Sequence, residues 1–353
     1  MLSALLCLSA SAAPAVEVAH IENAHAQRPA WSPAGDRLSF EANFHDKKRI
    51  ELYVGSPTPG GFQAIEVTRR ATSSLSEGFA RSAGGAVVHE LAWAPAALGP
   101  MYVFAASNDA FDYDVYLSGG GALAPGPGAD GGAAWAPDGR SIVFTSARTG
   151  EGDLYLLDTD EVEHPPQRLT TMRDSAELYV SWSPSGASLV FVAHTGSGDN
   201  LWLLPRVGAS PARLTSWPGS QIRPRYAPND ERIAFYANRE DPERFDLYVV
   251  KVGATPTRIA TGVYPDARGP SWTADGRYIV FVADNDQQLD PIRAVKVDAP
   301  RQVIPLDFGT VGHGDLDVSP SGEPRIAFVS QGRSGDAVRD FRRLFVAVLP
   351  ALP

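Results

Sequence analysis

This chain is short of the residues that much enzyme chemistry depends on. Its 353 residues include one cysteine, Cys7, inside an apolar run at the N-terminus. Beyond that run no disulfide, thiolate nucleophile or cysteine-ligated metal can form. Positive charge is not in excess. The 31 Lys and Arg stand against 41 Asp and Glu, a net charge of −10 with no basic stripe. Nucleic-acid binding, which needs cations clustered against phosphate, is disfavoured. No apolar stretch is long enough to span a bilayer. No long window shows the three-to-four-residue periodicity of an amphipathic helix. Hydrolase signatures are missing too. There is no G-x-S-x-G elbow, and the seven histidines (His20, His25, His45, His89, His164, His194, His313) include no H-E-x-x-H pair.

What the chain has instead is a repeat. An aromatic residue, a small residue, Pro, a turn and an alternating apolar run ending in Phe recur seven times. The clearest copies are WSPAGDRLSF from Trp31, WAPDGRSIVF from Trp135, WSPSGASLVF from Trp182 and WTADGRYIVF from Trp272. Degenerate copies begin at Trp93, Tyr226 and Val318. Successive anchors lie 62, 42, 47, 44, 46 and 46 residues apart. A unit of this size cannot bury its own apolar face, so the units must stack, and a period of this length fits a four-stranded propeller blade. Each unit supplies the strands. The anchor hairpin is followed by a second run, such as DLYLL from Asp153, NLWLL from Asn200 and DLYVV from Asp246. Short outer strands follow at Arg168, Arg213 and Arg258. The 33 Gly and 29 Pro sit at regular turn positions, as blades require, and do not signal disorder.

Spacing also predicts how the ring closes. An outer strand lies 12–14 residues before the next anchor, and Val18 lies 13 before Trp31 with no blade in front of it. The last unit ends at Val348 without an outer strand of its own. Residues 16–18 are therefore expected to complete the final blade and remove a free edge. The expected fold is an all-β, seven-bladed propeller of four-stranded blades forming one domain over 16–353, with six blades as the alternative count. The long first gap places a Ser/Gly/Ala-rich insertion at 69–85. Residues 1–15, MLSALLCLSASAAPA, read as the apolar core of a signal peptide with cleavage after Ala12. Leu6 before Cys7 argues against lipidation. A periplasmic or secreted monomer without disulfides is expected.

The repeats resemble those of TolB-type propellers, whose signature W-S-P-D-G-x-x-I-x-F then S-x-R-x-G-x-x-D-L-Y stands here as WAPDGRSIVFTSARTGEGDLY over 135–155. The resemblance implies a non-catalytic platform for a protein or peptide partner in the cell envelope. The same repeat is shared by tricorn-type proteases, dipeptidyl-peptidases and some polysaccharide lyases. Two departures stand out. TolB carries an N-terminal α/β domain before a six-bladed ring, whereas about 15 residues precede the propeller here and seven units are counted.

Candidate binding residues come from one offset. Three positions before the anchors stand Arg28, Glu90, Gly132, Tyr179, Arg223, Gly269 and Asp315, with Arg268 and His313 nearby. There the chain enters the innermost strand at one mouth of the tunnel. Buried charges need partners, so these side chains either pair across the funnel or recognise a small polar ligand or peptide. His313, Asp315 and Asp317 would share one strand face, where they would contribute to a metal site or form a polar lead into the blade. Residues 284–290, DNDQQLD, lack the Gly and terminal Glu of a calcium loop. Asp114, Asp153, Asn200 and Asp246 recur with the fold and read as hairpin caps. Acidic loops at 108–114, 151–153, 239–243 and 284–286 open on the funnel side and favour a basic partner or cation. No cofactor and no metal are assigned. The alternative function is a metal-assisted polysaccharide lyase, or another enzyme, using the tunnel mouth.

Overall fold

Each copy of the repeat folds as an antiparallel sheet whose strands follow one another in sequence. The computed structural model describes residues 10–11, 13–44, 49–58, 61–62, 65–66, 87–107, 113–229, 232–284, 290–300, 302–333 and 341–353. The expected insertion at 69–85 lies outside the described residues, as do 108–112 and 285–286 of the acidic loops and 287–289 of the 284–290 segment. Blade 4 shows the pattern: Ser175–Trp182, Leu189–Thr195, Gly198–Leu204 and Ala212–Arg213, innermost to outermost. Seven such blades form the ring. In blade 2 the fourth strand shrinks to one bridge, Tyr116 to Ala122. One parallel bridge, Ile50 to Val87, joins blades 1 and 2. The described residues hold no α-helix, only a short 3-10 turn at Ala96–Leu98, and no helix long and apolar enough to cross a membrane.

The second strand of a blade has neighbours on both faces, so it reads as a continuous apolar run rather than an alternating one. Leu189, Val190, Phe191, Val192 and Ala193 are all buried. The seven buried clusters among the described residues each draw on two adjacent blades. Val143, Leu154, Leu189 and Phe191 join blades 3 and 4, for example, while Phe40, Trp31, Ala327 and Leu344 join blades 1 and 7. Stacking the units thus buries what each alone would expose.

Closure follows the spacing. Val16–Ala19 pairs antiparallel with Arg343–Val348, setting Val16 against Val346 and Glu17 against Phe345. The Glu17 carboxylate and the Arg343 guanidinium pair across this strand joint. One addition was not expected. Ala10–Ser11, within the run read as a signal peptide, lies parallel to Val303–Asp307 as a fifth strand on blade 6.

The anchors form a ring of hydrogen bonds between blades. The indole N–H of Trp93 donates to the carbonyl of Ala30 at 3.1 Å, and that of Trp182 to Ala134 at 3.2 Å. Trp272 donates to Arg225 at 3.3 Å and Trp31 to Asp317 at 3.2 Å. In each case the acceptor immediately precedes the previous blade's anchor. These four indoles are therefore satisfied by the neighbouring blade. Tyr226 and Val318 have no indole. Ahead of them the preceding position is serine, and the Ser181 and Ser271 hydroxyls accept the Tyr226 and Val318 backbone N–H at 3.2 and 2.8 Å.

Candidate functional site: the charged mouth of the lumen

The innermost strands carry a bulge at one repeated position. Three residues before the anchor the backbone turns left-handed at Arg28 (φ 49°), Glu90 (59°), Gly132 (59°), Tyr179 (56°), Arg223 (54°) and Gly269 (93°). Register breaks at or beside the site in blades 1 to 5. The bulge frees a backbone N–H, and in three blades a neighbour's carboxylate accepts it. Arg28 N–H donates to Asp315 at 2.9 Å, Glu90 N–H to Glu41 at 2.9 Å, and Gly132 N–H to Glu90 at 2.7 Å. Glycine adopts this backbone without penalty, but an L side chain costs about 1–3 kcal/mol.

The lumen encloses about 480 Å³. Arg28, Glu90, Tyr179, Arg223 and Arg268 from the expected set line it, while prolines such as Pro137 and Pro184 line it beyond the anchor rings. Arg268 spans it. From blade 6 its Nη1 donates to the carbonyl of Leu91 in blade 2 at 3.1 Å, while its buried Nε has no partner among the described residues. Burial lowers the Arg268 pKa; Asp317 opposes that shift and Arg225 reinforces it. Gly269 permits this loop to approach blade 5, since a Cβ there would stand 2.8 Å from both the Arg223 carbonyl and Arg225 Cγ. Burial also acts to lower the Arg28 pKa, but Glu41, Glu90 and Asp315 outweigh it and the net shift is upward. Arg28 sits 3.4 Å from Glu41. The Arg223 guanidinium lies 3.9 Å over the Tyr179 ring.

Asp315 and His313 are placed elsewhere. The Asp315 carboxylate is buried behind the wall, accepting from Arg28 N–H and, at 3.1 Å, from Ala267 N–H. His313 is buried in blade 7, bonded to Thr310 at 2.9 Å and to the carbonyl of Asp290 at 2.7 Å, with Phe328 against its ring. Burial lowers its pKa. A bulge between His313 and Leu316 breaks the strand alternation, so the expected shared face of His313, Asp315 and Asp317 does not form. No group of three His, Cys, Asp or Glu suited to a metal gathers among the described residues. Asp153 and Asp246 hold their blades together rather than cap a hairpin, and Asn200 Oδ1 has no hydrogen-bond partner among the described residues. Asp153 takes Thr149 and Arg168, each at 2.7 Å, and Asp246 takes Gly262 N–H and Arg258, each at 3.0 Å. Arg225 and Glu41 were not among the sequence candidates, and Asp317 was named only with His313 and Asp315, not as part of the lumen wall. Asp317 and Arg225 directly precede an anchor, so the repeat itself carried the signal for them.

Neither a protein-family model nor a curated protein sequence matches this chain. Solved structures do match it in fold. TolB from Acinetobacter baumannii is 15% identical, with a TM-score of 0.51, over 78% of this chain and 61% of that one. The chain thus spans less than two thirds of that TolB's length. The β-propeller domain of the Trilobed protease from Pyrococcus furiosus is 11% identical, with a TM-score of 0.59, over 92% of this chain and 96% of that domain. Oligogalacturonate lyase in complex with manganese is 14% identical, with a TM-score of 0.52, over 73% of this chain and 88% of that one. At such identities the likeness is one of fold: the chain is a β-propeller similar in fold to that of TolB. That fold serves a protease and a lyase as well, so function has to come from the site.

Proposed function

We propose that the protein is a non-catalytic, exported binding platform that receives a protein or peptide partner at the charged mouth of the lumen. The observation that carries this is the Tyr179–Arg223 pair. Blades 3 and 6 use glycine at the same left-handed position, but blades 4 and 5 keep a tyrosine and an arginine there despite the backbone strain. Neither the phenol hydroxyl nor the guanidinium has a hydrogen-bond partner among the described residues, and both side chains are half-buried in the lumen wall. A stacked Tyr and Arg with open donors is the kind of group on which interfaces centre. Export is supported by the signal-like run at 1–15 and by the lack of cysteine after Cys7.

The reading is tested by purifying a partner from the native envelope and measuring its affinity for variants. Tyr179→Ala and Arg223→Ala should each weaken binding by roughly 1–3 kcal/mol. If both leave affinity unchanged while changes on the outer strands abolish it, the blade edges are the interface. Cytoplasmic protein that retains residues 1–12 would refute export. The alternative, a metal-assisted lyase, draws on the fold shared with oligogalacturonate lyase, and no observation at this mouth favours it.

A further inference from the structure

The lumen has a charge of its own. The chain carries −10 overall, yet Arg28, Arg223, Arg225 and Arg268 line the lumen against two carboxylates, Glu90 and Asp317. Both carboxylates are engaged in holding the ring together. Glu90 accepts Gly132 N–H at 2.7 Å, and Asp317 accepts Trp31 N–H at 2.8 Å and the Ser271 hydroxyl at 3.3 Å. Arg28 has Glu41 as its counter-charge. Arg223, Arg225 and Arg268 make no ion pair among the described residues. Arg223 rests on Tyr179, Arg225 donates to the carbonyl of Arg268 at 3.2 Å, and Arg268 reaches only a carbonyl and leaves its Nε unpaired. Asp317, Asp266 and Glu41 act on Arg268 only through space; enclosed cations without a direct ion pair are costly, and an arriving anion lowers that cost.

Building on the platform reading, we propose that the lumen binds a single carboxylate of a peptide segment, with Arg223, Arg225 and Arg268 as its counter-charges. Guanidinium forks match the planar oxygens of a carboxylate. A lone carboxylate on an otherwise neutral segment fits better than a polyanion. The net negative charge of the chain repels a strongly acidic partner at long range, whereas one carboxylate meets the arginines at contact. The carboxylate comes from a chain terminus or from an Asp or Glu side chain.

Calorimetry with four probes tests this: acetyl-Gly-Gly-Asp-Gly-Gly-amide, acetylated pentaglycine with a free C-terminus, acetyl-Gly-Gly-Asn-Gly-Gly-amide, and inorganic phosphate. At least one carboxylate peptide should bind about tenfold or more tightly than the Asn peptide. Which one does so identifies the source. Arg223→Gln and Arg268→Gln should each weaken that binding about fivefold or more, and added salt should weaken it too. Arg268 spans the lumen and its variant can lose stability, so circular dichroism is run on both; Arg223→Gln, at a half-exposed position, carries the test. Equal binding of the Asn and carboxylate peptides overturns the proposal. So does no binding by any peptide, tighter binding of phosphate than of either carboxylate, or carboxylate binding indifferent to Arg223→Gln. A photo-crosslinker at Tyr179 separates this from the platform reading. Capture of a native partner alongside indifferent carboxylate peptides sinks the carboxylate inference alone. Carboxylate binding with no partner captured sinks the platform alone.

Discussion

Two positions on the innermost strand, three residues apart, behave in opposite ways. At the anchor the side chain lies between blades, its residue type is nearly constant, and its polar atoms are taken up by the neighbouring blade. Trp31, Trp93, Trp182 and Trp272 each donate to the residue before the previous anchor. Trp135, whose indole N–H has no partner among the described residues, is the exception. Three residues earlier the backbone is the constant feature and the residue type varies. Left-handed φ recurs while the side chain is Arg, Glu, Gly or Tyr. Constant side chains in relaxed geometry belong to the fold. Varied side chains retained on strained backbone, facing a lumen, are candidates for recognition.

The largest way to break this comparison is at the anchor of the closing blades. Trp31 packs with residues of blades 1 and 7, and Asp317 accepts both its backbone and its indole N–H. Trp31→Ala removes a buried indole and leaves Asp317 under-used. It should cost about 3–5 kcal/mol, read from urea unfolding. A loss below about 1 kcal/mol would show that closure rests on the outer strand Val16–Ala19 instead.

Much of this was legible in the sequence, for a physical reason. Every blade buries both faces against copies of itself, so the turn and apolar pattern repeats with a countable period, and the surplus strand at Val16–Val18 betrays the closure. The mouth was legible too, because a fixed offset from a fixed anchor reaches one place in every blade. Arg28, Glu90, Tyr179, Arg223 and Arg268 do line the lumen. Alternation, though, was carried through a bulge it could not see, which misplaced His313 relative to Asp315 and Asp317. Glycine at 132 and 269, at the same offset, was the clue to a left-handed site. Likewise Ser181 and Ser271 precede the two anchors whose following blade has no indole to donate, a pairing visible only once the bonds between blades are known. The strand at Ala10–Ser11 left no signal, since two small residues carry no pattern.

A third position sharpens the comparison. Five residues before the anchor stand Asp130, Glu177, Gln221 and His313, all buried. They are polar like the mouth, but they serve the fold. Glu177 accepts from Ser175 at 2.6 Å and Thr170 at 2.9 Å, as Gln221 accepts from Thr215 at 3.1 Å. Burial raises the Glu177 pKa from 4.5 to about 7, against hydrogen bonds from Ser175 and Thr170 that lower it. The folded state therefore holds a proton that the unfolded chain releases. The contribution of Glu177 to stability is greatest in acid and falls as pH rises from about 4.5 to 7. Glu177→Gln copies the next blade. It should leave stability at pH 4 nearly unchanged and raise it at pH 8 by up to about 3 kcal/mol. A variant whose unfolding free energy keeps the wild-type pH slope across this window would show that Glu177 is ionised in the fold.

The smallest effect on stability is expected where the effect on binding is greatest. Arg223→Gly replaces a left-handed arginine (φ 54°) with the residue that blades 3 and 6 already use there. Relief of backbone strain contributes about 1 kcal/mol. Loss of the contact over Tyr179, 3.9 Å from guanidinium to ring, removes a similar amount, about 0.5–2 kcal/mol. The two nearly cancel, so the unfolding midpoint should move by no more than the equivalent of about 1 kcal/mol. Binding at the mouth should still fall about tenfold. Gly269→Ala is the reciprocal control. Its Cβ would stand 2.8 Å from the Arg223 carbonyl, so it should destabilise the ring without removing any lumen donor. If Arg223→Gly instead unfolds the protein as readily as Trp31→Ala does, the position before the anchor belongs to the fold, and the distinction between the two positions on the strand is lost.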